Sequence, residues 1–286
     1  MKMKSTFINM VSAVSLLGGM AVLPTVSGAQ ELPALPKAIK DAGVIRIGVK
    51  CDSPPFGFSG TDGKPVGIEV EMAKQIGVYA FGSADKTQLT CVTADSRIPS
   101  LNGGKIDAII ATLGKTRARA EVIDYTNSYY WGTSNVLVNK DSKVKKLADL
   151  DGKMLIVLKG STHARWFTEK QPKVGLMQLN STADGVQALL LGRAEGYAGD
   201  GEVVATIAGN NPQLRLVEEG FDFGANAIGL RKNEPELKAF LNAALAKMRS
   251  TKFQSPLVKK FVENPGLQAK IVSGFETAVP PEAEDK

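Results

Sequence analysis

The sequence predicts an α/β fold made of two blocks of parallel sheet. Short β-rich apolar runs alternate with amphipathic helical stretches, and strand–helix–strand alternation is the pattern of parallel βαβ units. The alternation stops near residue 133 and restarts near residue 138, which gives blocks at 40–133 and 138–218. The chain has 286 residues, 43% hydrophobic and 22% charged, enough for about two domains. That balance excludes a wholly disordered or collagen-like chain.

In the first block, Val44–Val49 is a β-rich run. Ile68–Ala80 is a helix in which Met72, Ile76 and Tyr79 recur at spacings of four and three and so share one apolar face. Gln88–Val92 is a strand, and Arg97–Leu101 opens a helix that tolerates Pro99 in its first turn. Ile106–Ala111 is a continuous apolar run of the kind that buried parallel strands show. In the second block the strands are Met154–Leu158, Val174–Leu179 and Ala194–Gly199, and the helices are Thr162–Glu169 and Thr182–Leu191. Past it lies the last long helix, Glu234–Arg249, where Leu237, Phe240, Leu241, Ala244, Leu245 and Met248 repeat at three and four. The Pro-rich, charged tail Pro280–Lys286 is expected to fray.

The N-terminus has the pattern of an export signal. Lys2 and Lys4 are followed by an uncharged stretch over 5–30, largely apolar from Phe7 to Leu23, and Pro24 breaks it. Ser27-Gly28-Ala29 places small residues for cleavage after Ala29. A membrane anchor is disfavoured, because Asn9, several Ser and Gly18-Gly19 dilute a segment that is short for a span. No Cys lies near the cleavage point, so lipid attachment there is excluded. A soluble exported chain of this kind is expected in the periplasm. In that oxidising compartment Cys51 and Cys91 can pair. Bridging neighbouring strands is geometrically demanding, so a disulfide and two buried thiols stay equally open.

The charges, 35 Lys and Arg against 29 Asp and Glu, leave a net +6 with no long run of one sign, so no nucleic-acid partner is expected. Two Cys and one His cannot build a four-ligand Cys/His zinc site. Gly114-Lys115-Thr116 resembles the end of a phosphate-binding loop, but Ile109 stands where that loop needs Gly. There is no G-x-G-x-x-G after a strand and no G-x-S-x-G elbow. His163, the sole histidine, has no partners at catalytic spacing, and a lone His is more often structural than catalytic. No cofactor and no metal are expected.

What remains is a set of polar groups at predicted strand ends. Asp52 follows the first strand, Arg97 the second, and Thr112 and Arg119 the third; Ser161, Thr162 and Asp200 follow strands of the second block. Ligands of open parallel α/β sheets bind outside the carboxyl ends of the strands. Taken singly, such an Arg or Asp is more often a cap or a surface ion pair. Their recurrence across both blocks is the signal, and cations and anions together suit a zwitterion: Arg forks a carboxylate and Asp accepts from an ammonium.

At these residues the chain resembles the periplasmic polar amino-acid binding proteins of ABC importers, solute-binding family 3. The resemblance is carried by Ile47-Gly48-Val49-Lys50-Cys51-Asp52-Ser53-Pro54-Pro55-Phe56-Gly57-Phe58, Ser96-Arg97-Ile98-Pro99-Ser100-Leu101, Asp107–Thr112, Arg119-Ala120 and Val122–Thr126. In the second block Leu147–Lys153 and Lys159-Gly160-Ser161-Thr162 carry it, and later Ile228–Lys232. It covers most of 40–265 and implies a periplasmic-binding-protein-like type II fold, two α/β lobes joined by two crossing strands. Lobe 1 would comprise 40–133 plus 219–286, and lobe 2 would comprise 134–218. Tyr129-Tyr130-Trp131-Gly132 and Phe221–Gly224 are the hinge candidates. The implied partners are a free amino acid and the membrane permease, with the protein itself monomeric.

By position, Arg119 matches the family's clamp on the ligand α-carboxylate, Thr162 a second-lobe group on the same carboxylate, and Asp200 the acceptor of the α-ammonium. Thr112 and Asp52 match first-lobe pocket positions. The chain departs from the family at Gly114, where a Thr hydroxyl is usual, at Ser53, where many members carry an aromatic, and at Arg117-Ala118, where Pro-Glu is usual. Arg97 resembles members that take glutamate or aspartate, and would pair the ligand's second carboxylate. Neutral polar or sulfur amino acids come next. Two other functions come behind binding: a prephenate-dehydratase-like enzyme on the same fold, with Glu202 as acid, which is disfavoured because positions i and i+2 of a helix point apart, and a sensor acting in trans.

Overall fold

The computed structural model describes residues 32–284, so the expected signal peptide over 1–29 lies outside the described residues. The chain opens with α1 (Lys37–Ala42) and β1 (Ile45–Val49), then a small antiparallel sheet of β2 (Asp52–Ser53), β3 (Gly57–Ser59) and β4 (Pro65–Val66). α2 (Ile68–Phe81), β5 (Thr87–Cys91), α3 (Arg97–Asn102), β6 (Ala108–Ile110) and α4 (Arg117–Ala120) follow. β7 (Asp124–Asn139) leads to β8 (Met154–Leu158), α5 (Thr162–Lys170), β9 (Gly175–Leu179), α6 (Thr182–Leu190), β10 (Gly196–Asp200), α7 (Gly201–Asn210) and β11 (Leu214–Leu216). β12 (Phe221–Leu230) precedes α8 (Pro235–Ser250), α9 (Gln254–Phe261), α10 (Pro265–Glu276) and α11 (Pro281–Glu284).

β1 pairs in parallel with β5 and β6, and β8 pairs in parallel with β9 and β10. These two parallel sets are joined by β12 and β7, antiparallel to each other, in the order β5-β1-β6-β12-β7-β10-β8-β9. β7 has 16 residues, and at about 3.3 Å per residue it reaches from one set to the other. Its first part pairs with β12, and its last part with β10 and β11. The two hinge candidates meet here, with Gly132 opposite Gly224 and Trp131 opposite Ala225.

An apolar core lies on each side of this junction. One is built by Ile47, Val49, Met72, Ile76, Ile110 and Ile228 beneath α8, and the other by Val136, Val138, Leu155, Val157, Phe167 and Ala198. All six apolar positions expected on α8 are buried. Tyr79 packs against the same core as Met72 and Ile76, half-buried, with the Lys247 ammonium 4.8 Å from its ring centroid. The tail is a correction. Pro281–Glu284 forms a helical turn whose Ala283 is fully buried, because that small apolar side chain packs inward.

Cys51 and Cys91 form a disulfide, which resolves the alternative left open by the sequence. The register sets Val49 opposite Cys91, and the two cysteine Cα atoms lie 5.6 Å apart, within bridging range. The bond closes a loop with a sequence separation of 40 residues, for which loop entropy corresponds to about 4 kcal/mol. Cys91→Ser is therefore expected to lower the urea midpoint with little change in ligand affinity. An unchanged midpoint would mean that the bridge does not stabilise the fold.

Candidate functional site

The carboxyl ends of β1, β5 and β6 face those of β8, β9 and β10, as the open-sheet rule requires. Lys50, Ser53, Ala94, Arg97 and Thr112 from the first side line one small cavity together with Leu158, Ser161, Thr162, Thr182 and Asp200 from the second. An adjoining cavity is lined by Thr112, Gly114, Thr162, Asp200, Glu202 and Asn226. Each measures about 30 Å³, and they share Thr112, Thr162 and Asp200. Larger grooves of about 510 to 630 Å³ are lined mostly by other residues.

Arg97, at the start of α3, is buried at 3% exposure. Its Nη1 donates to the Ala111 carbonyl at 2.5 Å and the Thr112 carbonyl at 3.2 Å, while its buried Nε has no acceptor. Burial, with repulsion from Arg119 second, pushes its guanidinium down to about 9. Thr112 itself has φ +44, a left-handed conformation that costs a β-branched residue energy.

Gly114 offers its carbonyl to Arg119 Nη1 at 2.6 Å, and the Thr162 methyl lies 3.5 Å from where a Gly114 Cβ would stand. Arg119 reaches across the cleft, its Nη2 donating to the Gly160 carbonyl at 2.9 Å. Burial pulls its guanidinium below the ordinary value. Ser161 is the N-cap of α5, its Oγ accepting from the Ala164 N–H at 3.2 Å, so that hydroxyl is committed to the helix. Thr162 occupies the first turn, where helix N–H groups face an anion well.

Asp200 ends β10 and stands at the N-cap position of α7 without a side-chain capping bond. His163 stands beside it, Nε2 3.5 Å from its Oδ1 and 3.0 Å from Ser134 Oγ. Burial keeps the imidazole below its usual value and hence neutral at pH 7. The lone His is thus a buried neighbour of Asp200, and it lines the same cavity.

Asp52 is set back from both cavities. One oxygen pairs with the buried Lys50 ammonium at 2.7 Å, and the other accepts the Thr182 N–H at 2.8 Å across the cleft. Asp52 and Arg119 therefore bridge the two sides rather than line the cavities.

Two residues escaped the sequence reading. Lys50 could have been noticed as a charge two residues before Asp52. Glu69 falls on the apolar stripe of α2 with Met72, Ala73 and Ile76, and an acid on a buried stripe is a signal. For Glu202 the helix rule that i and i+2 point apart does not apply. Asp200 stands at the N-cap position and is not a helical residue, and both acids line the same cavity. Glu202 pairs with Lys270 at 3.1 Å, and burial raises its carboxyl above the ordinary value.

Two lobes closing on a charged cleft of strand ends define a solute-binding protein of the type II periplasmic kind. The profile of the bacterial extracellular solute-binding proteins, family 3, matches residues 45–264. The chain is 32% identical over 228 residues to a glutamine-binding protein of an ABC transporter from Bacillus subtilis, covering 79% of this chain and 84% of that one. It is 31% identical over 215 residues to an arginine-binding protein of an ABC transporter from Escherichia coli, covering 72% and 85%. Its fold is similar to a solute receptor for L-cysteine of Neisseria gonorrhoeae, with a TM-score of 0.77 and 29% identity over 80% of this chain and 97% of that one. The chain belongs to the bacterial extracellular solute-binding proteins of family 3. The relatives named here are binding proteins and receptors rather than enzymes. Among the described residues no helix is long and apolar enough to cross a membrane.

Proposed function

We propose that this protein binds one free amino acid between its lobes, glutamate or aspartate by preference, and delivers it to the membrane permease of an ABC importer. The charge balance of the cleft carries this reading. Lys50 is paired with Asp52, and Lys270 with Glu202. Lys115 and Asp222, one of each sign, line the second cavity. The remaining charges at the strand ends are two guanidiniums, Arg97 and Arg119, against Asp200 and against Glu69, whose carboxyl burial raises to about 7. Their complement is a molecule with two carboxylates and one ammonium. Arg119 and the start of α5 at Thr162 take the α-carboxylate, Asp200 takes the ammonium, and Arg97 takes the side-chain carboxylate. Thr112, Gly114 and Ser161 shape the walls, and Asp52 ties the lobes.

A cavity of about 30 Å³ has room for only a water or two. An amino acid therefore enters when residues 40–133 plus 219–286 part from 134–218 about the crossing strands β7 and β12. The contacts Asp52–Thr182 and Arg119–Gly160 then re-form on closure. The chain is exported to the periplasm by a signal peptide cleaved near Ala29, and acts as a monomer without a cofactor. Relatives named for glutamine and L-cysteine support a neutral polar ligand as the second reading.

A thermal-shift screen of the refolded mature protein against the twenty amino acids separates the two. A ligand at about 100 times its Kd adds about 2.7 kcal/mol, or roughly 5–10 °C for a chain of this size. L-Glutamate and L-aspartate are expected to give the largest shifts. Shifts confined to glutamine or cysteine would discard the acidic preference and keep the binding function.

A further inference from the structure

Glu69 is fully buried on α2, with no Lys or Arg in an ion pair with it among the described residues. Its two carboxylate oxygens accept the Thr112 N–H at 2.9 and 3.1 Å, and Oε1 also accepts the Tyr129 hydroxyl from β7. On the far side of the same residue, the Thr112 carbonyl accepts from Arg97 Nη1. Thr112 is thus held in its left-handed conformation from both ends, by Glu69 at its N–H and by Arg97 at its C=O. The charged and titratable groups facing Glu69 are Tyr129 from β7, Arg97 from α3 and Asp200 from the end of β10, with Tyr130 also within electrostatic reach.

We propose that Glu69 is a positioning residue of the cleft, fixing Thr112 and through it Arg97, and that it takes up a proton from solvent when an acidic amino acid binds. The second part rests on the acidic reading above. A ligand carboxylate at Arg97 neutralises a cation that favours the ionised form of Glu69, and adds a negative charge beside it. Both effects favour the protonated carboxyl. Burial already raises Glu69 to about 7 in the free protein, so the uptake falls in an accessible range. The sign follows: at and above about pH 7, binding of an anion requires a proton, and affinity for glutamate declines as pH rises, by at most about tenfold per pH unit for one proton. In the free protein the folded value lies above the ordinary 4.5. Its contribution to stability is therefore present below about pH 4.5 and is lost as pH rises through about 7.

The test titrates the mature protein with L-glutamate at pH 7.5 by calorimetry in phosphate and in Tris, buffers of different ionisation heat. The parent is expected to show a buffer-dependent heat equal to a fraction of a proton. Glu69→Gln, which keeps an acceptor for Thr112, is expected to bind with no proton uptake. Glu69→Ala is expected to bind more than tenfold more weakly. Thermal unfolding without ligand between pH 5 and 8.5 gives an independent reading: the parent should lose stability relative to Glu69→Gln as pH rises. Failure of the parent to bind L-glutamate would overturn the acidic reading and the proton uptake together. Binding by the parent without buffer-dependent heat would overturn the uptake alone. Glu69→Ala binding L-glutamate, or L-glutamine, as tightly as the parent would overturn the positioning role.

Discussion

Arg119→Ala is expected to weaken amino-acid binding by about 30-fold or more, because truncating one partner of a desolvated, hydrogen-bonded charge pair costs about 2–5 kcal/mol. The guanidinium stands at the junction of the lobes, with Nη1 on the Gly114 carbonyl and Nη2 on the Gly160 carbonyl. It can orient on two neutral acceptors and still present its fork to a carboxylate. Gly114 supplies no hydroxyl to share that load, so the carboxylate depends on Arg119 and on the N–H groups at the start of α5. The fold should survive, since the residue is only half-buried and both of its protein bonds are to backbone carbonyls. Arg119→Lys should fall between, because a point charge replaces a planar fork. Calorimetry on refolded protein measures the loss. Parent-like affinity in Arg119→Ala would place the carboxylate elsewhere.

Much of the scaffold was legible because its signals are local. The stripe of α8 predicted its buried face, and the apolar runs predicted β1, β6 and β8. The C-terminal helices were harder. α9 carries Pro256 and α10 begins at Pro265, and proline reads as a breaker unless its position in the first turn is known. β7 was split at 133–138 because Thr133-Ser134-Asn135 interrupts the apolar pattern, yet the strand runs on to Asn139. A strand passing between two lobes has no single buried face to impose alternation. The strand-end residues were likewise legible through a topological rule. Their partners were not: Thr182 lies 130 positions from Asp52, and Tyr129 lies 60 from Glu69. Nothing local reports such a pairing.

The same long-range contacts explain why the cleft is both polar and ordered. Buried charges cost heavily unless paired or hydrogen-bonded. Here Lys50 neutralises Asp52, which also receives the first free N–H of α6. Lys270 neutralises Glu202 where α10 meets α7. These pairs hold the walls, and under the proposed function Arg97, Arg119 and Asp200 meet the solute, so selectivity would turn on how those three are matched.

Arg97→Ala is expected to invert selectivity. For L-glutamate, losing the cation that meets the side-chain carboxylate should cost on the order of 100-fold in affinity. For L-glutamine, the same change removes a hydrogen bond to a neutral amide, worth about 1 kcal/mol or roughly fivefold. The variant also frees the Ala111 and Thr112 carbonyls, which loosens the Thr112 turn, but that penalty falls on both ligands alike and cancels in their ratio. The glutamate-to-glutamine ratio is therefore the measurement, taken by calorimetry on parent, Arg97→Ala and Arg97→Lys. Arg97→Lys keeps the charge and loses one arm of the fork, so its ratio should lie between the other two. The unpartnered Nε of Arg97 makes the same point from the protein's side: a buried donor without an acceptor is costly, and a ligand carboxylate relieves that cost as an amide oxygen does only in part. Equal losses for the two ligands would mean that Arg97 braces the Thr112 turn and does not read the side chain, and the acidic preference would fall with it.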